Sequence, residues 1–377
     1  MKFTFNHLLL VVLVYPLLLF FPSLMGKEAF YITAPYFFLI FLLMCAKFLT
    51  QSKIKVRTDK IALYFLLLVI CSFINFTSAR YSLPIFFTIY ALFLTVFIDN
   101  LNDKSLSFKL LGYYFILMIG LSIPLIFLKV GYTEAGRFTG FIGSPTIYSG
   151  FIASFFIAVS YRYKMWTFKF LIFFLITLYL VYISKTRLLL ILVLIYPMLR
   201  LLTLKRAWVS RKFIFLLFYI STLLIYPLYS FITNLFPSLI TLRYGKKEDS
   251  SFGLRNYLFE ELKDVLLHGN LIEVFFGRGN EFSRIYVEKL MGFDLMPHND
   301  YLRLLIDWGI IGFLIFSIAL YKIATKNDLS LYLSLVYMLL FYSNTIFNLF
   351  LISLLLIFYH NTNNQIWNIN FEKAFKH

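Results

Sequence analysis

The sequence predicts an all-α, polytopic membrane protein of about twelve transmembrane helices, with one large polar loop on the outer side. Three observations carry that expectation. Hydrophobic residues make up 61% of the chain and charged residues 14%, where a soluble domain carries roughly 25% charged residues. The mean hydropathy is +0.82, more apolar surface than a water-soluble core of this size can bury. Apolar runs near membrane-spanning length also follow one another along the chain, and none alternates as a barrel strand does.

A helix crosses the hydrocarbon core with about 20 apolar residues, in a range of roughly 17–25. Candidate spans lie at 8–25, 29–49, 61–76, 83–98, 109–129, 141–161, 168–184, 188–202, 213–232, 304–324, 329–342 and 346–359. The first begins like a signal peptide, with Lys2 before a long apolar run, but has no small-residue cleavage pattern and reads as an uncleaved span. Residues 168–202 divide in two because Lys185 and Arg187 interrupt them. A basic residue at mid-bilayer costs about 2.5–3.5 kcal/mol, so a turn at the interface is the expected solution. Residues 329–359 read either as two spans or as one tilted span kinked at Ser343-Asn344.

The formal charge of +17 does not describe a nucleic-acid binder, because the basic residues lie between apolar runs instead of forming a stripe. Their distribution orients the chain instead. With a cytoplasmic N-terminus, one set of loops carries Lys53, Lys55, Arg57 and Lys60, then Arg162, Lys164 and Lys169, then Arg200, Lys205, Arg206, Arg211 and Lys212, then Lys322 and Lys326, with Lys373 and Lys376 in the tail. The short loops on the opposite side carry only Lys27, Arg80, Arg137, Lys185 and Arg187. The positive-inside rule therefore places both termini in the cytoplasm.

Residues 1–377 form a single membrane domain, and within it the loop 233–303 is long, mixed in charge and on the outer side. It contains Leu254, Leu258, Leu262, Val265 and Leu266 on one helical face, with Glu260, Lys263 and Asp264 off that face. This is an amphipathic helix, expected to start near Ser250 or Ser251 and to lie at the membrane–water interface.

The outer side also gathers residues suited to a phosphate. Arg137 lies in Gly136-Arg-Phe-Thr-Gly140, Arg187 closes Ser184-Lys-Thr-Arg, Arg255 opens the amphipathic helix and Arg278 lies in Gly277-Arg-Gly-Asn280. His298 stands in Pro297-His-Asn-Asp-Tyr301. Arginine keeps its charge and presents a planar fork to phosphate oxygens, and a histidine titrates where it can take a proton from a hydroxyl. Each residue also has a plainer reading: interfacial anchors for Arg137, Arg187 and Arg278, a solvated charge for Arg255, a structural hydrogen-bonding group for His298. Asp300 is two residues from His298, so the two do not face each other on a helix, and its carboxylate suits the helix start. The two cysteines, Cys45 and Cys71, lie in predicted spans, and no motif for a metal site or a nucleotide loop occurs, so no cofactor is expected.

Taken in order, these motifs resemble the O-antigen polymerase and O-antigen ligase family of bacterial membrane glycosyltransferases. The carrying stretches are Gly136-Arg-Phe-Thr-Gly140 with Gly143-Ser-Pro145, Ser184-Lys-Thr-Arg187, Ser250-Ser-Phe-Gly-Leu-Arg255, Phe276-Gly-Arg-Gly279, and Pro297-His-Asn-Asp-Tyr-Leu-Arg-Leu-Leu-Ile-Asp-Trp-Gly-Ile-Ile-Gly312. The last is the most specific, and Lys185 departs from the small residues usual in the family's first arginine motif. The resemblance implies a GT-C-like fold and a metal-independent transfer of an undecaprenyl-diphosphate-linked glycan on the periplasmic or extracellular face. By matching motifs it makes His298 the general base and Arg187 and Arg255 the grip on the diphosphate. Arg137, Arg278, Asn299 and Asp300 would shape the substrate pocket. The substrate is then a lipid-linked oligosaccharide, with a chain-length regulator and a flippase as further partners and no nucleic acid. A polymerase of O-antigen, capsule or exopolysaccharide fits the Pro-His-Asn-Asp-Tyr motif and the short chain; the alternatives are a ligase transferring the chain to lipid A-core and, from another class, a lipid-linked oligosaccharide flippase. A peptidoglycan-type polymerase and a non-catalytic assembly partner have weaker support.

Overall fold

The computed structural model describes residues 3–19, 30–50, 59–74, 83–101, 106–133, 136–204, 210–235, 250–293, 299–343 and 347–361. These residues form helices α1 (Phe5–Leu18), α2 (Phe30–Leu49), α3 (Lys60–Ile74), α4 (Leu83–Asn100), α5 (Phe108–Phe127), α6 (Pro145–Ser160), α7 (Phe168–Ile183) and α8 (Arg187–Leu204). They continue with α9 (Arg211–Leu235), α10 (Ser250–Leu267), α11 (Leu271–Phe276), α12 (Phe282–Met291), α13 (Asp300–Lys326), α14 (Asp328–Leu340) and α15 (Leu349–His360). The only β-type pairing among the described residues is a single bridge, Tyr132 to Phe138.

The sequence writes many of the helix starts as caps. A helix leaves its first N–H groups without intrahelical partners, and a Ser, Thr or Asn side chain takes one of them. Ser107 accepts from Leu110, Ser144 from Ile147 ahead of Pro145, Thr167 from Phe170, Asn327 from Ser330 and Asn348 from Leu351.

A helix occupies the place of each predicted span. Among the described residues three of them, α4, α5 and α13, have the length and composition to cross a bilayer, and α1, α3, α6, α7, α14 and α15 are shorter apolar helices of 10–17 residues. Residues 168–202 do turn, at Ser184-Lys185, with Lys185 in the left-handed region (φ 53°). Residues 329–359 form two helices packed on each other rather than one kinked span. Every residue of α14 from Leu329 onward and every residue of α15 is buried, as befits helices enclosed by others. Helices α2, α5 and α7 instead leave Leu42, Leu43, Tyr113, Ile116 and Leu175 exposed on their outer faces, the arrangement expected where lipid is the solvent.

Basic residues collect at one end of the bundle. Arg211 donates to the Lys326 carbonyl at 3.0 Å, Asn327 to the Phe358 carbonyl at 3.1 Å, and the Tyr359 hydroxyl to Asp59 at 3.1 Å. Arg200 is buried there and donates to the carbonyls of Ser160, Tyr161 and Tyr163 at 2.7, 3.1 and 2.6 Å, closing the C-terminal end of α6. The other end of α13 begins at Asn299, among the motif residues.

Helix α13 does not run straight. Gly309 sits at φ 68°, ψ −177°, which breaks the ladder inside it. The carbonyls of Ile306 and Asp307 accept instead from the N–H groups of Arg278 (2.8 Å) and Gly279 (3.1 Å). Gly277 and Gly309 make this joint possible: both have positive φ, and a Cβ on either would overlap the other segment's backbone. Phe276-Gly-Arg-Gly279 and Trp308-Gly-Ile-Ile-Gly312, read separately in the sequence, are thus the two halves of one contact.

Gly277→Ala and Gly309→Ala should each abolish recovery of monodisperse protein on size-exclusion chromatography. Gly112→Ala in α5, where nothing lies within 4 Å of the added carbon, should be neutral or stabilising by about 0.5–1 kcal/mol.

Candidate active site

Two groups of candidate residues emerge. The first is built on the turn between α7 and α8. The Phe138 N–H donates to the Ile183 carbonyl at 3.1 Å, Arg137 Nε donates to the Ser184 carbonyl at 3.3 Å, and Ser149 Oγ donates to Thr186 Oγ1 at 3.0 Å. These bonds lay the Gly136-Arg-Phe-Thr-Gly140 loop against Ser184-Lys-Thr-Arg187, although the two are far apart in sequence. The Lys185 ammonium lies beside Gly136. Arg137 is half-buried, whereas Arg187, the first residue of α8, is exposed and its side chain has no partner among the described residues. Three cationic side chains therefore share one helix end, and the positive end of the α8 dipole adds to them.

The second group surrounds the start of α13. Asn299 accepts from the N–H groups of Tyr301 (3.1 Å) and Leu302 (3.2 Å), so its side chain is the helix cap. Asp300 is buried in the first turn. Its carboxylate lies 3.5 Å from Arg303 Nη1. Arg303 is itself buried, bonds Glu281 through Nη2, lies 3.7 Å from Asp307 through Nε, and stacks over the Phe347 ring at 4.8 Å. Glu281 is also 3.9 Å from Arg284. Asp307 accepts from the Ser283 N–H at 2.8 Å, the Trp308 indole donates to Asn280 at 2.6 Å, and Asn280 donates to the Ser72 carbonyl of α3. The sequence reading left Arg303 as the last residue of a loop and did not single out Glu281 or Asp307. The spacing Asp300, Arg303, Asp307 was the available signal, since i, i+3 and i+4 place all three on one helical face.

The remaining candidates divide as follows. Arg278 pairs with Glu273 at 3.0 Å and stacks on Phe282 at 5.4 Å, while its backbone holds the α13 joint. Arg255 lies on α10 with its side chain outside the described residues, and His298 lies outside them altogether. The amphipathic helix exists as α10, but Leu258, Leu262 and Val265 are buried against Val287 of α12 and against Leu302 and Ile306 of α13. Its apolar face is covered by protein rather than turned to a membrane surface, because the start of α13 offers it an apolar groove. Tyr286 of α12 donates to Glu261 of α10 at 3.5 Å. Burial, and then the Glu261 carboxylate, push the Tyr286 hydroxyl up from its ordinary value, so it remains a donor.

An all-helical, apolar bundle with its cationic and acidic candidates drawn to one end of the helices defines a membrane protein with a polar site at one face. Residues 171–317 match the family model described as O-antigen ligase. The match runs from α7 into α13 and contains Arg187, Arg255, Arg278 and His298; Arg137 precedes it. No curated protein and no solved structure gives a significant match.

Removing Arg303 leaves three buried carboxylates around an empty position. Loss of one partner from a buried ion pair costs about 3–5 kcal/mol, so Arg303→Ala should lower the thermal unfolding midpoint in detergent far more than Arg284→Ala, whose partner keeps its bond to Arg303.

Proposed function

We propose that the protein is a polysaccharide polymerase that transfers a glycan chain from undecaprenyl diphosphate to a lipid-linked repeat unit at the outer face of the bacterial inner membrane. The observation that carries this reading is Arg187: exposed, without a side-chain partner among the described residues, beside Arg137 and Lys185, and inside the segment matched by the O-antigen ligase family. Such a group is suited to a diphosphate. Its cations neutralise the oxygens on which charge develops as the glycosidic C1–O bond breaks. Arg255 is assigned to the same diphosphate.

His298 takes the proton from the acceptor hydroxyl as its oxygen forms the new bond to C1, and undecaprenyl diphosphate leaves. The Asn299 cap and the Asp300–Arg303 pair fix the turn that immediately follows His298. Arg278 shapes the wall of the pocket through its pairing with Glu273. The chemistry assigns every step to side chains and none to a metal.

The test is the surface-polysaccharide ladder of a deletion strain carrying wild-type, His298→Ala or Arg187→Ala protein at equal abundance. A general base contributes about 10²–10⁴ in rate, and a charge-stabilising donor about 10²–10³. Both variants should therefore lose long chains while single repeat units remain attached. Long chains retained on the lipid carrier, with nothing attached, identify a ligase acting on lipid A-core instead. A normal ladder from His298→Ala removes the histidine from the chemistry.

A further inference from the structure

We infer that α11 is the element of the outer segment that enters the membrane, with its apolar side chains among the acyl chains of the outer leaflet. Helix α11, Leu271–Phe276, has no buried residue. Leu271 is 76% exposed and Ile272 72%, and Phe275 and Phe276 are also open. This is the opposite of α10, whose apolar face is closed against α12 and α13.

Its depth follows from the joint with α13. Gly277, directly after α11, is in backbone contact with Gly309, and the Phe275 carbonyl lies against the same glycine. The Lys326 end of α13 belongs to the basic end of the bundle. About 20 residues are needed to cover the hydrocarbon core, and the run from Asp307 to Lys326 has that length. Gly309 therefore lies just inside the outer boundary of the hydrocarbon. Helix α11 is fixed at that level on the outside of α13, whose Leu314 and Ile318 are exposed further down. Apolar residues at this depth continue the lipid-facing surface of the span. Asn270 and His268, at the start of α11, are exposed polar residues that suit the headgroup layer. The carboxylates at the same level, Asp307 and Glu281, are enclosed by protein and paired with Arg303, as charge at membrane depth must be. The inference concerns membrane placement and does not depend on the proposed reaction.

The experiment places an NBD fluorophore at Ile272→Cys in the full-length chain carrying Cys45→Ser and Cys71→Ser, reconstituted in phosphatidylcholine vesicles. Leu314→Cys serves as the lipid-facing reference and Asp264→Cys, exposed on α10, as the aqueous one. Ile272 should follow Leu314: quenched several-fold more by dibrominated phosphatidylcholine than Asp264, and protected from iodide. Quenching by iodide to the extent seen at Asp264, with no response to brominated lipid, overturns the inference. Phe275→Cys supplies the same measurement if the Ile272 variant is not recovered as folded protein.

Discussion

The interruption of α13 at Gly309 sets the geometry of the outer end of the molecule. In a continuous helix the carbonyls of Ile306 and Asp307 would accept from N–H groups one turn further on. Here they accept from Arg278 and Gly279. Backbone groups at membrane depth must find partners within the protein, so a break of this kind is possible only where another segment supplies the missing donors. Residues 277–279 supply them, and can approach closely enough only because Gly277 and Gly309 have no side chains. Neither segment would hold its shape alone. Once joined, they bring Asn280 to Trp308 and Ser72, Glu281 to Arg303, and α11 to the edge of the span.

The charges follow from that joint. Arg303, enclosed by protein, faces carboxylates from its own helix at positions 300 and 307 and from Glu281 across the joint. Enclosing so many ionisable groups is expensive, and well-packed apolar residues would often be as stable. What the cluster gives is orientation, since a guanidinium held by carboxylates on two segments fixes their relative rotation as well as their distance. The turn it fixes, Asn299 to Arg303, follows directly on His298. The energetic cost therefore falls where a proposed proton acceptor has to be aimed.

Much of this molecule can be read from its sequence, and the unread part has a common cause. Helix positions, the turn at Lys185 and the amphipathic α10 follow from local composition and period. Asn299 was assigned to substrate, whereas its oxygen is occupied in capping; Asn-Asp ahead of an apolar run carried that signal, and the alternative role considered for Asp300 at the helix start is where it stands. Arg278 engages Glu273 and Phe282, contacts set by the fold of the 271–282 segment. The approach of Arg137 to Ser184, of Asn280 to Ser72 and of Glu281 to Arg303 joins residues whose separation in sequence follows no helical period. The packing of α10 on α12 and α13 was likewise not legible, because amphipathicity shows that a face is buried without showing what buries it.

The distribution of polar groups bears on what kind of work the bundle does. Along the packed helices, buried hydroxyls mostly bond carbonyls one turn back in their own helix: Thr95 to Ala91, Ser122 to Met118, Ser149 to Pro145 and Ser353 to Leu349. Such groups are satisfied locally and ask for neither water nor an ion. A carrier that moves a charged lipid headgroup through the bilayer needs ionisable residues along its route. Among the described residues the engaged arginines lie instead at the ends, buried Arg200 and exposed Arg211 on one side and the buried Arg303 cluster on the other. Among the described residues, Arg200 and Arg211 at the basic end bind carbonyls and Asp328, and Arg187 at the other end is exposed. Ionisable groups gathered at the ends of the described helices are what the proposed reaction on a lipid-linked substrate needs, where a carrier would need them along its route.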